Sequence, residues 1–159
     1  MSTGSAGWSS KSNAMMVSKT GNVIDRELTA MFFANGEGFL PDRDAVDRGD
    51  AREICYATAI ATELVLKAFL VAQGWSDDRC RREVRHDLEK ALAIASSAGL
   101  KAPAGLAGIV TVLNAYYPKH AFLSFVVPTG DASFPERACT IVADLFERVR
   151  SQVEASGGR

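Results

Sequence analysis

The sequence predicts an all-α protein, an up-and-down bundle of four or five helices, on three observations. Residues 50–73 carry a helix-period stripe of Ile54, Ala57, Ala61, Leu64, Ala68 and Val71. The other faces of that segment are also largely apolar (Ile60, Val65, Leu66, Phe69, Leu70), which marks a central helix covered on several sides. Shorter segments after it repeat the same three-and-four spacing. The one stretch that reads equally well as a strand, "HAFLSFVVP" at 120–128, has no partner strand elsewhere, so it is expected to be helical or irregular.

Residues 1–22 are rich in Ser, Gly and Thr and lack an apolar core, which predicts a flexible N-terminal tail and no signal peptide. Within it, Ser12-Asn13-Ala14 before Met15-Met16 looks like a tag-cleavage scar, with Met15 or Met16 as the expected native start. A single domain is expected over 23–153, followed by a frayed tail at 154–159. The first helix spans 23–35 and is stopped by Gly36 and Gly38, and "FLPDRD" is a loop. Asp50 caps the central helix and Gly74 follows its end. "WSDDRCRREVR" holds a helical turn opened by Ser76 or Asp77.

The next helix covers 87–98, with Asp87 at its cap, Leu88, Leu92 and Ala95 inward, and Gly99 beyond its end. A helix at 103–117 has Pro103 in its first turn and Leu106, Ile109, Val110 and Leu113 as its stripe, before Pro118 disturbs it. In the last helix, Ser133 and Glu136 stand at capping-box spacing, and Ala138, Ile141, Val142, Leu145, Phe146 and Val149 face inward.

Composition narrows the function. The net charge is −1, so nucleic acid is not bound by bulk charge, and any contact must be a local patch. Three widely spaced cysteines, Cys55, Cys80 and Cys139, argue against a disulfide framework and fit a reducing, cytoplasmic setting. With only two histidines and no H-E-x-x-H spacing, no metal site or cofactor is expected. Glu63 and Lys67 sit inside the longest apolar run, and a charge at a bilayer centre costs roughly 2.5–3.5 kcal/mol, so no membrane span is expected.

Three clusters are candidate sites. Glu63 and Lys67, at the favourable i,i+4 order, form either a half-buried ion pair that fixes packing or the polar floor of a cleft, with His86 or Arg85 as partner. His86 and Asp87 read as a helix cap, or with Arg81, Arg82 and Arg85 as a phosphate site. Tyr116, Tyr117, Lys119 and His120 offer rings for stacking and cations for phosphate, or simply tyrosines packed at a helix end.

Glu63, Leu66, Lys67 and Ala68, followed by His86, Asp87 and Leu88, resemble the HEPN domain family, whose members show an E-x-x-L-K-A-like central helix and then a "GHDL" helix start. Arg85 stands where the family has Gly, and the resemblance spans roughly residues 50–150. It implies a helical bundle that forms a homodimer. It also implies RNA or nucleotide binding, a nucleotidyltransferase or antitoxin partner, or metal-independent ribonuclease activity of the toxin–antitoxin or defence type. Nuclease members carry R-x(4–6)-H late in the bundle, where Arg holds phosphate and His acts as acid or base.

Here the corresponding positions before His120 are Leu113, Asn114 and Ala115. The motif is therefore missing from its place, and a non-catalytic RNA-, nucleotide- or partner-binding domain is expected. If catalysis survives, His120 as acid/base with Lys119 in place of the arginine is the first pair to consider. Arg81 and His86 have the right spacing in the wrong helix. A purely structural interaction module remains the third alternative.

Overall fold

The computed structural model describes residues 16–17 and 23–157; of the expected tail at 1–22, residues 1–15, with the tag-like segment, and 18–22 lie outside the described residues. The fold is all-α apart from a two-residue antiparallel ladder, β1 (Met16–Val17) with β2 (Val23–Ile24). Residues 16 and 17 thus belong to a strand pair, where a continuous tail was expected.

Seven α-helices are present among the described residues, more than the four or five expected: α1 (Arg26–Phe39), α2 (Arg43–Arg48), α3 (Ala51–Ala72), α4 (Asp77–Glu83), α5 (Leu88–Ser97), α6 (Leu106–Asn114) and α7 (Phe134–Gly157). The surplus comes from two short helices in stretches that read as loop or as a single turn. In α2, the Asp42 carboxylate accepts the Ala45 N–H at 2.8 Å. In α4, the Ser76 hydroxyl accepts the Arg79 N–H at 3.0 Å.

The central helix α3 packs against α1, α5, α6 and α7. Val65, Leu66, Phe69, Leu70 and Val71 are at most 1% exposed, so hardly any of this helix reaches solvent after its second turn. It is long and apolar enough to span a membrane, but 78% of that window is buried inside the fold, as befits a core helix. Its two buried threonines bond back along the helix, Thr58 Oγ1 to the Ile54 carbonyl and Thr62 Oγ1 to the Thr58 carbonyl, both at 2.7 Å.

Three predicted boundaries differ in the structure. Gly36 and Gly38 do not stop α1, which runs on to Phe39. Gly36 is a close-approach site, because a Cβ there would meet Phe146 Cζ at 3.0 Å and Leu64 Cβ at 3.2 Å. Pro103 is not in the first turn of α6. The helix begins at Leu106 after Gly105, which takes a left-handed φ of 88° as its cap. The start of α7 falls where the capping-box spacing placed it: the helix begins at Phe134, the Ser133 carbonyl accepts the Arg137 N–H at 2.9 Å, and the Glu136 carboxylate accepts from Arg43 at 2.6 Å. Finally, α7 continues through Gly157, past the fraying point expected at 154.

The segment 117–125 is irregular. Two 3-10 turns, Tyr117–Lys119 and Phe122–Ser124, follow α6. They are packed by rings: Tyr116 lies edge-on to Phe125 at 5.0 Å, and Phe122 and Phe125 are 5.5 Å apart.

Candidate functional site

The site begins with a buried charge in the middle of α3. Lys67 Nζ donates to Glu63 Oε2 at 2.6 Å, and both side chains are 8% exposed. The pair is therefore fully buried, more so than the half-buried pair expected from sequence. A carboxylate out of water needs its other lone pairs filled. Glu63 Oε1 accepts the Tyr117 hydroxyl at 2.7 Å and lies 2.9 Å from His86 Nδ1. Burial alone would raise the Glu63 carboxyl. The hydrogen bonds from His86, Lys67 and Tyr117 outweigh it and hold the group below the usual carboxylate range. An ionised carboxylate only accepts, so His86 carries its proton on Nδ1 and turns Nε2 outward as the free ring nitrogen. Burial and then the Glu63 bond push the Tyr117 phenol well above its ordinary value, so it stays a donor.

Two left-handed corners build the outer layer. Arg85 (φ 55°) and His120 (φ 53°) are the non-glycine residues with positive φ among those described. Such backbone costs roughly 1–2 kcal/mol per residue and concentrates at functional sites. Here the two corners set His86 and His120 ring to ring, with centroids 6.1 Å apart. His86 also stands edge-on to Tyr117 at 5.9 Å. Its side chain is 53% exposed, whereas the Glu63 behind it is buried.

The start of α5 is tied to the end of α6 beside this corner. The Asp87 carboxylate accepts the Lys90 N–H at 3.0 Å and the Asn114 amide at 3.0 Å, while Asn114 Oδ1 accepts the Leu88 N–H at 2.7 Å. Asn114 was seen in sequence only as a position lacking arginine. Its role is a clasp, which no spacing rule would reveal.

The arginine cluster is not a free basic patch. Arg81 lies 3.7 Å from Asp77, Arg82 2.8 Å from Asp78 and Arg79 3.1 Å from Glu83, each one turn away on α4, and Arg79 also stacks over Trp75. Arg81 and Arg82 are thus each beside an acid of their own helix, on exposed side chains, and Arg81 lies next to Asp77. Arg85, Lys119 and His120 are exposed. Tyr117 is withdrawn as a stacking platform, being buried with its hydroxyl committed to Glu63. Tyr116 is half-buried against Phe122 and Phe125.

Beside the site, Tyr56 is a ring that does face solvent, 43% exposed and 5.4 Å from Phe122. It opens onto a groove of about 400 Å³ lined by Asp50, Arg52, Glu53, Tyr56, His120, Phe122 and Leu123. Arg52 braces one rim, donating to the Leu123 carbonyl at 3.2 Å and lying 3.4 Å from Asp50. The signal that could have found this groove is Glu53 and Tyr56 at i,i+3 near the start of an otherwise apolar helix.

The cysteines take no part in the site. Burial pushes the Cys55 thiol up to about 12 and Cys80 to about 11, and Cys139 is also raised. No group of three His, Cys, Asp or Glu suited to a metal ion occurs among the described residues. No protein-family model, curated protein or solved structure matches the chain.

Proposed function

We propose that this chain is a HEPN-like domain that binds RNA or a nucleotide at the corner formed by His86 and His120. One observation carries this reading: two imidazoles meet at 6.1 Å on left-handed corners, one held by a buried carboxylate, with the exposed cations Arg85 and Lys119 next to them in the chain. Imidazole N–H groups and flanking cations suit a phosphodiester, and the exposed Tyr56 ring suits a base. The local site also agrees with a chain whose overall charge is near zero. The test is binding of a fluorescent single-stranded oligoribonucleotide as salt is varied. Lys119→Ala and Arg85→Ala should each weaken binding and flatten the salt dependence, while Arg81→Ala should change neither. Unchanged binding in both corner variants rejects the site.

A metal-independent ribonuclease is the second reading, favoured by the same histidine pair. Glu63 fixes the His86 tautomer, which leaves Nε2 to take or give a proton, and His120 supplies the second acid/base group. Cleavage in EDTA, lost in both His86→Gln and His120→Ala at unchanged helicity, would establish it. The family resemblance also carries a homodimer. Light scattering at micromolar concentration tests this, and a monomer would remove any site shared between copies.

A further inference from the structure

The groove beside His120 is asymmetric. On the α3 side stand two carboxylates and Arg52. Asp50 is engaged by Arg52 at 3.4 Å, whereas Glu53, one turn into the helix, is exposed with no hydrogen-bond or ion-pair partner among the described residues. The floor is aromatic, with Tyr56 against Phe122. The opposite wall is His120, next to the exposed Lys119. A carboxylate is an acceptor only. An occupant must therefore present a flat face to Tyr56, N–H donors to Glu53, and negative charge toward His120 and Lys119. Arg52 is engaged by Asp50 and the Leu123 carbonyl, so a phosphate placed at Glu53 would meet an unpaired carboxylate, which favours the orientation with phosphate at His120.

Among the bases, guanine alone offers two adjacent donors on its Watson–Crick edge, N1–H and N2–H, that match both oxygens of a carboxylate. Adenine and cytosine set a ring-nitrogen lone pair beside their amine, and that lone pair faces the carboxylate unfavourably. Uracil has one N–H between two carbonyls. An arginine side chain has the same donor fork, but it would add positive charge beside His120 and Lys119, whereas a nucleotide brings the phosphate they complement. A volume of about 400 Å³ falls in the range of small-ligand pockets, roughly 300–1,000 Å³.

We propose that this groove is a guanine-selective base pocket, with Glu53 reading N1–H and N2–H, Tyr56 stacking on the ring, and His120 with Lys119 holding the phosphate. It rests on the RNA- or nucleotide-binding reading above and adds the base that the site selects.

Titration calorimetry with guanosine, inosine and adenosine 5′-monophosphates tests it, beside an oligouridylate as a measure of RNA binding in general. The guanine nucleotide should bind about tenfold to a hundredfold more tightly than the adenine one, the range expected for hydrogen bonds to a charged group, with inosine between because it lacks N2. Glu53→Gln should erase that preference by weakening guanine binding, since an amide cannot accept from N1–H and N2–H together, and the fold should persist because Glu53 is exposed. Equal affinities in the wild type, or a preference that survives Glu53→Gln, overturn the pocket. If oligouridylate binds while the mononucleotides show no discrimination, the pocket fails and the RNA-binding reading stands. If no nucleotide or RNA binds, or if acetyl-arginine amide binds in their place, both fail.

Discussion

Replacing Lys67 by Met, Glu63 by Leu, and then both, measures how strongly the buried pair is coupled. Breaking a buried ion pair from one side costs about 3–5 kcal/mol, because the partner charge is left without solvent. The two single variants are not equivalent here. Lys67→Met leaves Glu63 with the Tyr117 hydroxyl and His86, so its cost should lie near about 3 kcal/mol. Glu63→Leu strands an ammonium that is 8% exposed and orphans the Tyr117 hydroxyl, so its cost should approach about 5 kcal/mol. The double variant removes both charges and keeps only the orphaned hydroxyl, a penalty of about 1–3 kcal/mol.

The coupling energy between the two sites should then be at least about 3 kcal/mol, with the double variant more stable than Glu63→Leu. Urea denaturation followed by circular dichroism resolves such differences, since a domain's total stability is about 5–15 kcal/mol. Single-variant costs that simply add, with coupling under about 0.5 kcal/mol, would refute the claim that the charges depend on each other for burial.

Three further outcomes are expected. The folded-state Glu63 carboxyl titrates below its ordinary 4.5, so the unfolded chain binds the proton first; its stabilisation is full above that value and fades as pH falls through the lower folded one. Denaturation between pH 6 and about pH 3 should therefore show a steeper loss in wild type than in the Glu63→Leu/Lys67→Met variant, and parallel curves would contradict this. The two glycines of α1 should respond oppositely: Gly38→Ala, with open space around it, should stabilise by about 0.5–1 kcal/mol, while Gly36→Val should destabilise by about 1–3 kcal/mol against Phe146 and Leu64, as read from thermal melts. Asn114→Ala should cost about 1–3 kcal/mol, because it leaves the Leu88 N–H without its 2.7 Å acceptor, and a melt indistinguishable from wild type would deny the clasp.

The parts of this molecule that were legible in sequence are those governed by local rules. The stripe from Ile54 to Val71 announced a buried central helix, and Asp87 announced a helix start, because periodicity and capping act within a few residues. Gly36 was misread for the opposite reason. Its role is set by Phe146, far along the chain, so a residue that normally ends helices is here the one that lets α7 approach. The arginine run left two readings open in sequence, and its i,i+4 acids, Asp77 and Asp78, were legible there by the same local rule that pairs them in the structure. Within the site, pairing of Glu63 with His86 could be anticipated from two charges marooned in an apolar run. Tyr117 as its second partner could not, because a non-helical turn carries that hydroxyl into the core.

That turn has a mechanical consequence. Apart from the Tyr116 N–H, which reaches back to the Leu113 carbonyl of α6, the turn and loop backbone hydrogen bonds of residues 116–125 stay within the segment: His120 to Tyr117, Ala121 to Tyr116, Ser124 to Ala121 and Phe125 to Phe122. It is fastened to the rest of the molecule by rings, by Tyr117 on Glu63 and by Arg52 on the Leu123 carbonyl. The wall that carries His120 is thus attached like a panel held by a few bolts and not woven into the frame. Its amides should trade hydrogen for deuterium sooner than those of α3, even though Tyr117, Phe122 and Phe125 seat their rings in the core.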